Sequence, residues 1–278
     1  METHTLHQEL LRKTVEVLVV GCGGNGSAIV GGLPFLQQAM LAQGHPYGLH
    51  VTVMDGDSVS SINCVRQPFS KSEVSLNKAI VLVNRINLFW GLRWTAIPRL
   101  LTTQTLHPEN AGYNECYLQP DIVIGCVDTR AARETIAKSV SGSSLTGYFL
   151  DLGNHSTGGQ FVLGEPLNAR NKRSRARLRT AVELFTDIAD ASLDDDNEPS
   201  CSALESLSRQ ESFVNSTLSQ HALALLARLF RYGEISYHGA FVDVAMARST
   251  PLPIDPLVWC RLRKRRGGMA AGMKSTAA

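Results

Sequence analysis

Four glycines, Gly21, Gly23, Gly24 and Gly26, stand between a run of β-branched residues and a stretch that can form a helix. Glycines at such a turn let backbone N–H groups approach a phosphate closely, and the start of the following helix adds a partial positive charge. The segment therefore predicts nucleotide binding. Because enzymes that use nicotinamide, flavin or ATP share this pattern, the glycines alone do not identify the nucleotide.

Asp55 stands at the end of the next predicted strand, where a carboxylate can accept hydrogen bonds from both hydroxyls of a ribose. It lies further from Gly26 than the roughly 20 residues that are usual for this role. A turn-rich insertion at 43–48 accounts for the extra length. Asp55 is thus the candidate ribose ligand, and the alternative interpretation is a carboxylate that only stabilises the turn after the strand.

Polar and cationic side chains are grouped after Asp55, at Asn63, Arg66, Gln67 and Lys78. A nicotinamide enzyme does not need them, since the pyrophosphate of its cofactor already rests on the glycine turn. An enzyme that promotes attack on the α-phosphate of ATP does need them, because negative charge must be offset across three phosphates. Arg66 offers a forked donor and Lys78 a compact positive charge, while Asn63 and Gln67 can orient the phosphates and a metal. The alternative is that Arg66 and Lys78 are two surface cations.

Asp128 follows another buried apolar run and is the candidate metal ligand. Open α/β sheets bind ligands at the carboxyl ends of their strands, which is where this carboxylate is expected. Mg²⁺ commonly binds one or two carboxylates together with substrate phosphates. The alternative role for Asp128 is the N-cap of the helix predicted at 129–140, and the two roles are compatible.

The elements that must hold these residues alternate between strands and helices. Buried apolar runs predict the strands, and apolar residues at helical spacing predict the helices. The alternation favours an α/β fold, Rossmann-like and doubly wound around a mostly parallel sheet. Strands are predicted at 15–20, 49–54, 94–97, 121–127, 148–152 and 160–163, and helices at 27–41, 76–88 and 129–140.

The C-terminal part is expected to complete the same domain with a long helix at 203–232 and an antiparallel strand at 235–245. Pro251, Pro253 and Pro256 are expected to end regular structure. The predicted organisation is an ATP-binding half at 1–165, a charged crossover at 166–202, the completing helix and strands at 203–258, and a disordered tail at 259–278.

The crossover combines a basic run at 170–179 with an acidic run at 187–198. Adjacent runs of opposite charge indicate either a solvated, mobile connection or a loop that a partner protein orders on binding.

Composition narrows the class of protein. Of the 278 residues, 44% are hydrophobic and 19% are charged, and the formal net charge of +2 provides no steering toward nucleic acid or membranes. No apolar run approaches the roughly 20 residues of a spanning helix, and the first 13 residues lack the apolar centre of a secretory signal. Six cysteines without close pairs do not resemble a disulfide framework. We therefore expect a cytoplasmic protein that binds neither nucleic acid nor membranes.

Taken in order, these motifs resemble those of the ThiF, MoeB and ubiquitin-activating adenylyltransferase superfamily across roughly residues 11–164. The resemblance implies ATP and Mg²⁺ as cofactors and adenylation of the C-terminal carboxylate of a ubiquitin-like or sulfur-carrier protein. The residues that it implies for the nucleotide are Gly21, Gly23, Gly24, Gly26, Asp55, Asp57, Asn63, Arg66, Gln67 and Lys78, with Asp128 on the metal.

A closer likeness, to the ThiF-type proteins of the PRTRC gene system, is carried by LHVTVMDGDSV, LNKAIVLVNRINLFWGL, EPSCSALESLSRQ and ISYHGAFV. This likeness implies a JAB-type peptidase as a neighbouring gene product. The superfamily resemblance also implies a homodimer, in which one more catalytic arginine comes from the N-terminal segment of the partner subunit. Arg12 is the candidate by position, and the alternative is an exposed N-terminal charge.

The cysteines depart from one pattern of the superfamily and fit another. ThiF and MoeB bind structural zinc through two Cys-x-x-Cys pairs, which this sequence lacks. Cys201 lies after the charged crossover and before the predicted helix, where a helix N-terminus would favour its thiolate. In related enzymes a cysteine of this region accepts the acyl group as a thioester. A structural role for Cys201, in an enzyme that stops at the adenylate, is the alternative.

Two other classes of protein remain as alternatives to the adenylating enzyme. An NAD-dependent oxidoreductase would account for the glycine turn and Asp55, but it leaves Asn63, Arg66 and Lys78 without a joint purpose. A non-catalytic nucleotide-binding scaffold would retain the fold only as a surface for partners.

Replacement of Cys201 by alanine tests the thioester role. We expect Cys201→Ala to leave adenylate formation unchanged and to remove any thioester, because the thiol enters only after the adenylate has formed. The measurement is a non-reducing gel of the chain with ATP and a carrier protein, and Cys260→Ala is the control. A reducible conjugate that persists in Cys201→Ala would refute the assignment.

Overall fold

The computed structural model describes residues 2–106, 118–143, 145–168, 171–172, 174, 176–194 and 211–263. Its centre is a sheet in which five strands run parallel, in the order β4-β3-β2-β5-β6. These strands are β2 (Val15–Val20), β3 (Leu49–Met54), β4 (Thr95–Ile97), β5 (Ile122–Gly125) and β6 (Tyr148–Asn154). The chain leaves β2 toward β3 on one side and returns to β5 on the other, so the sheet is doubly wound and the predicted fold class is confirmed.

Three antiparallel strands extend the sheet beyond β6, in the order β7-β9-β10. They are β7 (Gly158–Gly164), β9 (Tyr237–Asp243) and β10 (Arg248–Pro253). A separate pair joins β1 (His4–Thr5) to β8 (Glu234–Ile235). The first residues of the chain are therefore paired with residues that follow the last long helix.

The helices whose two ends both lie in the described residues are α1 (Gly24–Ala42), α2 (Asn63–Arg66), α3 (Lys78–Trp90), α4 (Arg130–Gly142), α5 (Ala181–Leu184) and α6 (Val214–Tyr232). Short 3₁₀ turns stand at Gln8–Leu11, Lys71–Glu73, Thr186–Ala189 and Ala191–Leu193. Helix α1 packs along α6, with the side chain of Leu223 lying over Gly32.

Both faces of the parallel sheet are buried. Alternate residues of a strand point to opposite faces, and in β2 the pair Val17 and Val19 belongs to one apolar cluster while Leu18 and Val20 belong to another. All four side chains are buried. A strand covered on both sides needs a continuous apolar sequence, which explains why VEVLVV could be predicted as a central strand.

Three details of the predicted C-terminal part were wrong. Pro251 and Pro253 lie within β10 and do not end regular structure, because β10 is an edge strand where a residue without an N–H is tolerated. The helix predicted from 203 begins, in the described residues, only at Val214, after Phe213 in a left-handed conformation. Residues 256–263 are helical and Trp259 is buried, so the tail predicted from 259 does not begin there.

The crossover is packed against the fold over part of its length. Arg177, Leu178, Thr180 and Ala181 are buried, and the guanidinium of Arg177 pairs with Glu183. The solvated interpretation of the basic run is therefore wrong at its C-terminal end, where the arginine stem and its ion pair lie against the core. Cys201 lies outside the described residues.

Among the described residues, no helix combines the length and apolarity needed to cross a membrane.

Candidate functional site

The turn between β2 and α1 is the base of the site. Gly21 has a φ of +93°, a left-handed conformation that favours glycine. A Cβ at Gly26 would lie 1.8 Å from the carbonyl oxygen of Gly21, so the helix can begin this close to the strand only without a side chain. Gly23 stands at the N-cap of α1 and offers no side chain to the first N–H groups of the helix. Those groups are left to bind an anion.

Asp55 ties this turn to the end of β3. One of its carboxylate oxygens accepts a hydrogen bond from the N–H of Cys22, and the other accepts from the N–H of Asp57 at 2.7 Å. Burial raises the pKa of Asp55 above its usual range, although the two N–H donors and Lys78 act to lower it. Each carboxylate oxygen carries a second acceptor site, so the side chain can still receive ribose hydroxyls.

Lys78 opens α3 and is largely buried. Its Nζ lies 3.0 Å from Oδ2 of Asp57, and its backbone N–H donates to the carbonyl oxygen of Asp57. Asn77 caps α3 by accepting from Ile80 N–H, and its Nδ2 donates to the carbonyl oxygens of Asp55 and Asp57 at 2.9 and 3.1 Å. These contacts hold the lysine beside the ribose candidate. Asp57, predicted as a nucleotide ligand, pairs with Lys78.

Helix α2 supplies one wall of the site. Asn63, Arg66 and Gln67 all line the cavity there. The Oδ1 of Asn63 accepts from the N–H of Ser60 at 2.9 Å and closes the turn that starts the helix. The Oε1 of Gln67 is buried and has no hydrogen-bond partner among the described residues.

Asp128 follows β5 and faces the same cavity with an exposed side chain. The alternative role as N-cap of α4 belongs to Thr129, whose side chain accepts from the N–H of Ala132. Asp194 also caps this helix, because its two oxygens accept from the N–H groups of Arg130 and Ala131 at 3.0 and 2.9 Å. Asp128 is thus left available for a ligand.

A buried ion pair supports the loop that carries Asp128. The Nε of Arg133 donates to Oδ1 of Asp151 at 2.9 Å, and its Nη2 donates to the carbonyl oxygens of Val127 and Leu152 at 3.1 and 3.2 Å. Burial raises the pKa of Asp151, while the charge of Arg133 opposes that effect. Because the guanidinium holds the carbonyl just before Asp128, it fixes the position of that residue.

Three asparagines complete the site and were not predicted as site residues. Asn25 is buried, its Nδ2 donates to Oδ1 of Asn154 at 2.8 Å, and its own Oδ1 has no hydrogen-bond partner among the described residues. Asn154 ends β6, and Asn215 stands in the first turn of α6. All three line the cavity. Nothing in the sequence around Asn154 or Asn215 signals a site, since only the three-dimensional fold brings them beside the glycine turn.

All of these elements surround one cavity of about 1060 Å³ at the carboxyl ends of the parallel strands. Two predicted residues in the described part of the chain do not line the cavity: Gly26, which shapes the glycine turn, and Arg12, which is an exposed residue just before β2. The predicted residues that line the cavity are Gly21, Gly23, Gly24, Asp55, Asp57, Asn63, Arg66, Gln67, Lys78 and Asp128.

The donor set fits ATP with a divalent cation. The open N-terminus of α1, Lys78 and Arg66 suit phosphate oxygens, and Asp55 suits the ribose. The hard oxygens of Asp128 suit Mg²⁺ in the presence of phosphates. The buried amide oxygens of Asn25 and Gln67 are acceptors that a bound ligand or a metal-bound water can satisfy.

Residues 2–247 match the ThiF family, and since this is most of the chain, the protein belongs to the ThiF family. Adenylating enzymes of this family use ATP. No curated protein matches the chain in a sequence comparison.

Solved structures of low sequence identity share the fold. One is PaaA, with 14% identity, a TM-score of 0.55, and matched segments that cover 89% of this chain and 65% of that chain. Another is MccB of E. coli, solved with AMPCPP and MccA, with 14% identity, a TM-score of 0.52, and coverage of 90% and 66%. This chain thus spans about two thirds of the length of the structures that it resembles.

The close approach at Gly26 gives a direct test of the turn. We expect Gly26→Ala to lower the free energy of unfolding by about 1–3 kcal/mol and to weaken ATP binding, since the added methyl group displaces the carbonyl of Gly21. Urea unfolding and calorimetric titration with ATP measure the two effects.

Gly31, in the same helix, is the matched control because a Cβ there meets no atom within 4 Å. Gly31→Ala should raise the free energy of unfolding by about 0.5–1 kcal/mol, since alanine favours a helix over glycine, and should leave ATP binding unchanged. Equal behaviour of the two variants would contradict the close-approach argument.

Proposed function

We propose that this protein adenylates the C-terminal carboxylate of a small ubiquitin-like or sulfur-carrier protein with ATP. The observation that carries the proposal is the placement of Lys78, Arg66 and Asp128 around the cavity that the glycine turn opens. A dinucleotide-binding site needs the turn and Asp55 but no second group of cations. The combination suits a reaction at the α-phosphorus of ATP.

The reaction needs no general base. A terminal carboxylate is ionised at neutral pH, and one of its oxygens attacks the α-phosphorus. The bond from that phosphorus to the bridging oxygen breaks, and pyrophosphate leaves with the electron pair. The products are an acyl-adenylate and pyrophosphate. Catalysis then depends on alignment of the nucleophile and on stabilisation of the charge that develops on the phosphates.

Each residue of the site has a part in this scheme. The N–H groups at the start of α1 and the guanidinium of Arg66 hold phosphate oxygens, and Asp55 holds the ribose. Lys78 leaves Asp57 and offsets charge on the α-phosphate and on the leaving pyrophosphate. Mg²⁺, held by Asp128, supplies further charge neutralisation when it is bound. Arg133 keeps the loop of Asp128 in place.

The cavity has room for a chain terminus beside the nucleotide. The three asparagines line the cavity from the first turn of α1, the end of β6 and the first turn of α6, and they offer amide groups suited to a peptide backbone. The MccB structure, which shares the fold, holds AMPCPP together with MccA, and this supports a site for a nucleotide and a second molecule. In this proposal the carrier protein enters from the asparagine side.

The assembly and the later steps belong to the same proposal. We expect a homodimer, with Arg12 reaching the active site of the partner subunit. Transfer of the acyl group to Cys201 would follow adenylation. The PRTRC likeness and a JAB-type peptidase partner stay predictions that genomic context can test.

Exchange of labelled pyrophosphate into ATP, in the presence of candidate carrier proteins, tests the proposed function. We expect exchange with the wild type and a loss of at least about 100-fold in Lys78→Ala and in Asp128→Ala, because each variant removes a charge that stabilises the transition state. The far-ultraviolet circular dichroism of both variants should remain that of the wild type, since neither side chain belongs to the apolar core.

Lys138→Ala is the matched control, since Lys138 is an exposed lysine on α4 whose partner is Glu134. It should retain full exchange. Unchanged exchange in Lys78→Ala would contradict the assigned mechanism. Binding of NAD without exchange would identify an oxidoreductase instead, and nucleotide binding with neither exchange nor hydrolysis would identify a scaffold.

A further inference from the structure

A second cluster of ligand-type side chains lies beside the first residue of β6 and the last residue of β7, at the ends of these strands that are away from the nucleotide cavity. Two histidines of the N-terminal segment, His4 and His7, converge on Glu165, which follows β7. The Nε2 of His7 lies 2.8 Å from Oε1 of Glu165, and the Nδ1 of His4 lies 3.7 Å from Oε2. Among the described residues, this is the group of three histidine, cysteine or acidic side chains whose ligand atoms all lie within 4.8 Å of one another.

The spacing of these three atoms is close to that of a metal site. Tetrahedral ligands at 2.0–2.2 Å from zinc lie roughly 3.4 Å from one another. The distance from Nε2 of His7 to Oε1 of Glu165, 2.8 Å, is shorter than this value, and the distance from Nδ1 of His4 to Oε2 of Glu165, 3.7 Å, is longer. Side-chain rotations therefore suffice to surround an ion. His4 and Glu165 are buried, and the side chain of His7 is 31% exposed. The cluster therefore has one side open to solvent, through which an ion can enter.

Surrounding groups hold the ligands in orientations that suit coordination. The hydroxyl of Tyr148 lies 2.8 Å from Nε2 of His4, and the ring of Tyr148 stacks on His7 with centroids 4.5 Å apart. When Nδ1 of His4 coordinates, its Nε2–H can donate to the tyrosine oxygen, and such a hydrogen bond from the second ring nitrogen fixes the tautomer and the orientation of a metal-bound imidazole. Oε2 of Glu165 accepts from the N–H of Leu178 at 2.8 Å, so the carboxylate is anchored through one oxygen and can coordinate through the other.

A third imidazole lies close by. His238 in β9 is fully buried, and this burial lowers its pKa to about 4, an effect to which the charge of the neighbouring His4 adds. Its Nδ1 donates to the carbonyl oxygen of Leu163 at 2.8 Å, which leaves the lone pair on Nε2, and Nε2 has no hydrogen-bond partner among the described residues.

We propose that His4, His7 and Glu165 bind a Zn²⁺ ion through two imidazole nitrogens and one carboxylate oxygen, with water as the fourth ligand. Zinc suits this set because it accepts both nitrogen and oxygen donors in tetrahedral geometry. The ion joins the N-terminal segment to the end of β7 and so fastens β1 beside the sheet. It is separate from the nucleotide site, since β6 extends about 20 Å from Tyr148 at this end to Asn154 in the cavity.

Zn²⁺ titration of the EDTA-treated full-length chain tests the proposal, with calorimetry for affinity and metal analysis for stoichiometry. His7→Gln and Glu165→Gln each remove one ligand, and glutamine at 165 keeps an acceptor for Leu178 N–H. We expect one Zn²⁺ per wild-type chain and binding at least tenfold weaker in both variants. A Zn²⁺ concentration of 100 times the Kd should raise the Tm of the wild type by about 5 °C or more.

His50→Gln is the matched control, because the Nδ1 of His50 lies 2.8 Å from Oε2 of Glu16 in a pair without a second histidine. It should bind Zn²⁺ as the wild type does. If Glu165→Gln does not fold, His7→Gln still decides the matter, since its side chain is partly exposed. Absence of binding to the wild type, or equal affinity in His7→Gln and His50→Gln, would overturn the proposal and leave a hydrogen-bonded clasp or adventitious binding only.

Discussion

The nucleotide site depends on the carboxylate of Asp55 and on the two backbone N–H groups that donate hydrogen bonds to it. One comes from Cys22 in the glycine turn and the other from Asp57 at the start of the segment that leads to α3. A single side chain thereby joins the ends of β2 and β3, and through the pair of Asp57 with Lys78 it also sets the first turn of α3. Three elements that are distant in sequence keep one geometry because one buried anion binds them together.

That anion is costly to bury, and the surroundings explain why it is retained. Burial raises the pKa of Asp55, and the N–H donors together with Lys78 offset part of the cost. The same arrangement at Asp151, where Arg133 compensates a fully buried carboxylate, supports the loop of Asp128. Asp55 follows the end of β3, and Asp151 lies within β6 beside the last residue of β5, so both buried carboxylates stabilise loops at the carboxyl ends of parallel strands.

Much of the parallel sheet could be predicted because burial on both faces imposes continuous apolar runs. The bounds of β2 and β3 were predicted to the residue, and the helices after them to within a few residues. Asn63, Arg66, Gln67 and Lys78 were also predicted to surround one nucleotide, because negative charge on three phosphates requires several donors, and all four line the cavity. Their catalytic roles stay predictions.

Other features depend on contacts that no local pattern encodes. The sequence predicts that Pro251 and Pro253 end regular structure, yet both lie in an edge strand, which does not require the N–H groups that proline lacks. Asn154 and Asn215 reach the cavity only through the pairing of β6 and the packing of α6. The cluster of His4, His7 and Glu165 joins side chains more than 150 residues apart in sequence, which spacing analysis cannot detect.

The pairing of β1 with β8 has a consequence for how the chain is made. Strand β1 has no partner until residues after α6 have been synthesised, and β7 has one unpaired edge until β9 has been synthesised. A nascent chain that carries only the nucleotide-binding half therefore exposes an unpaired strand, which is a surface for aggregation. Strands β1 and β7 therefore complete their pairing only after β8 and β9 have been synthesised.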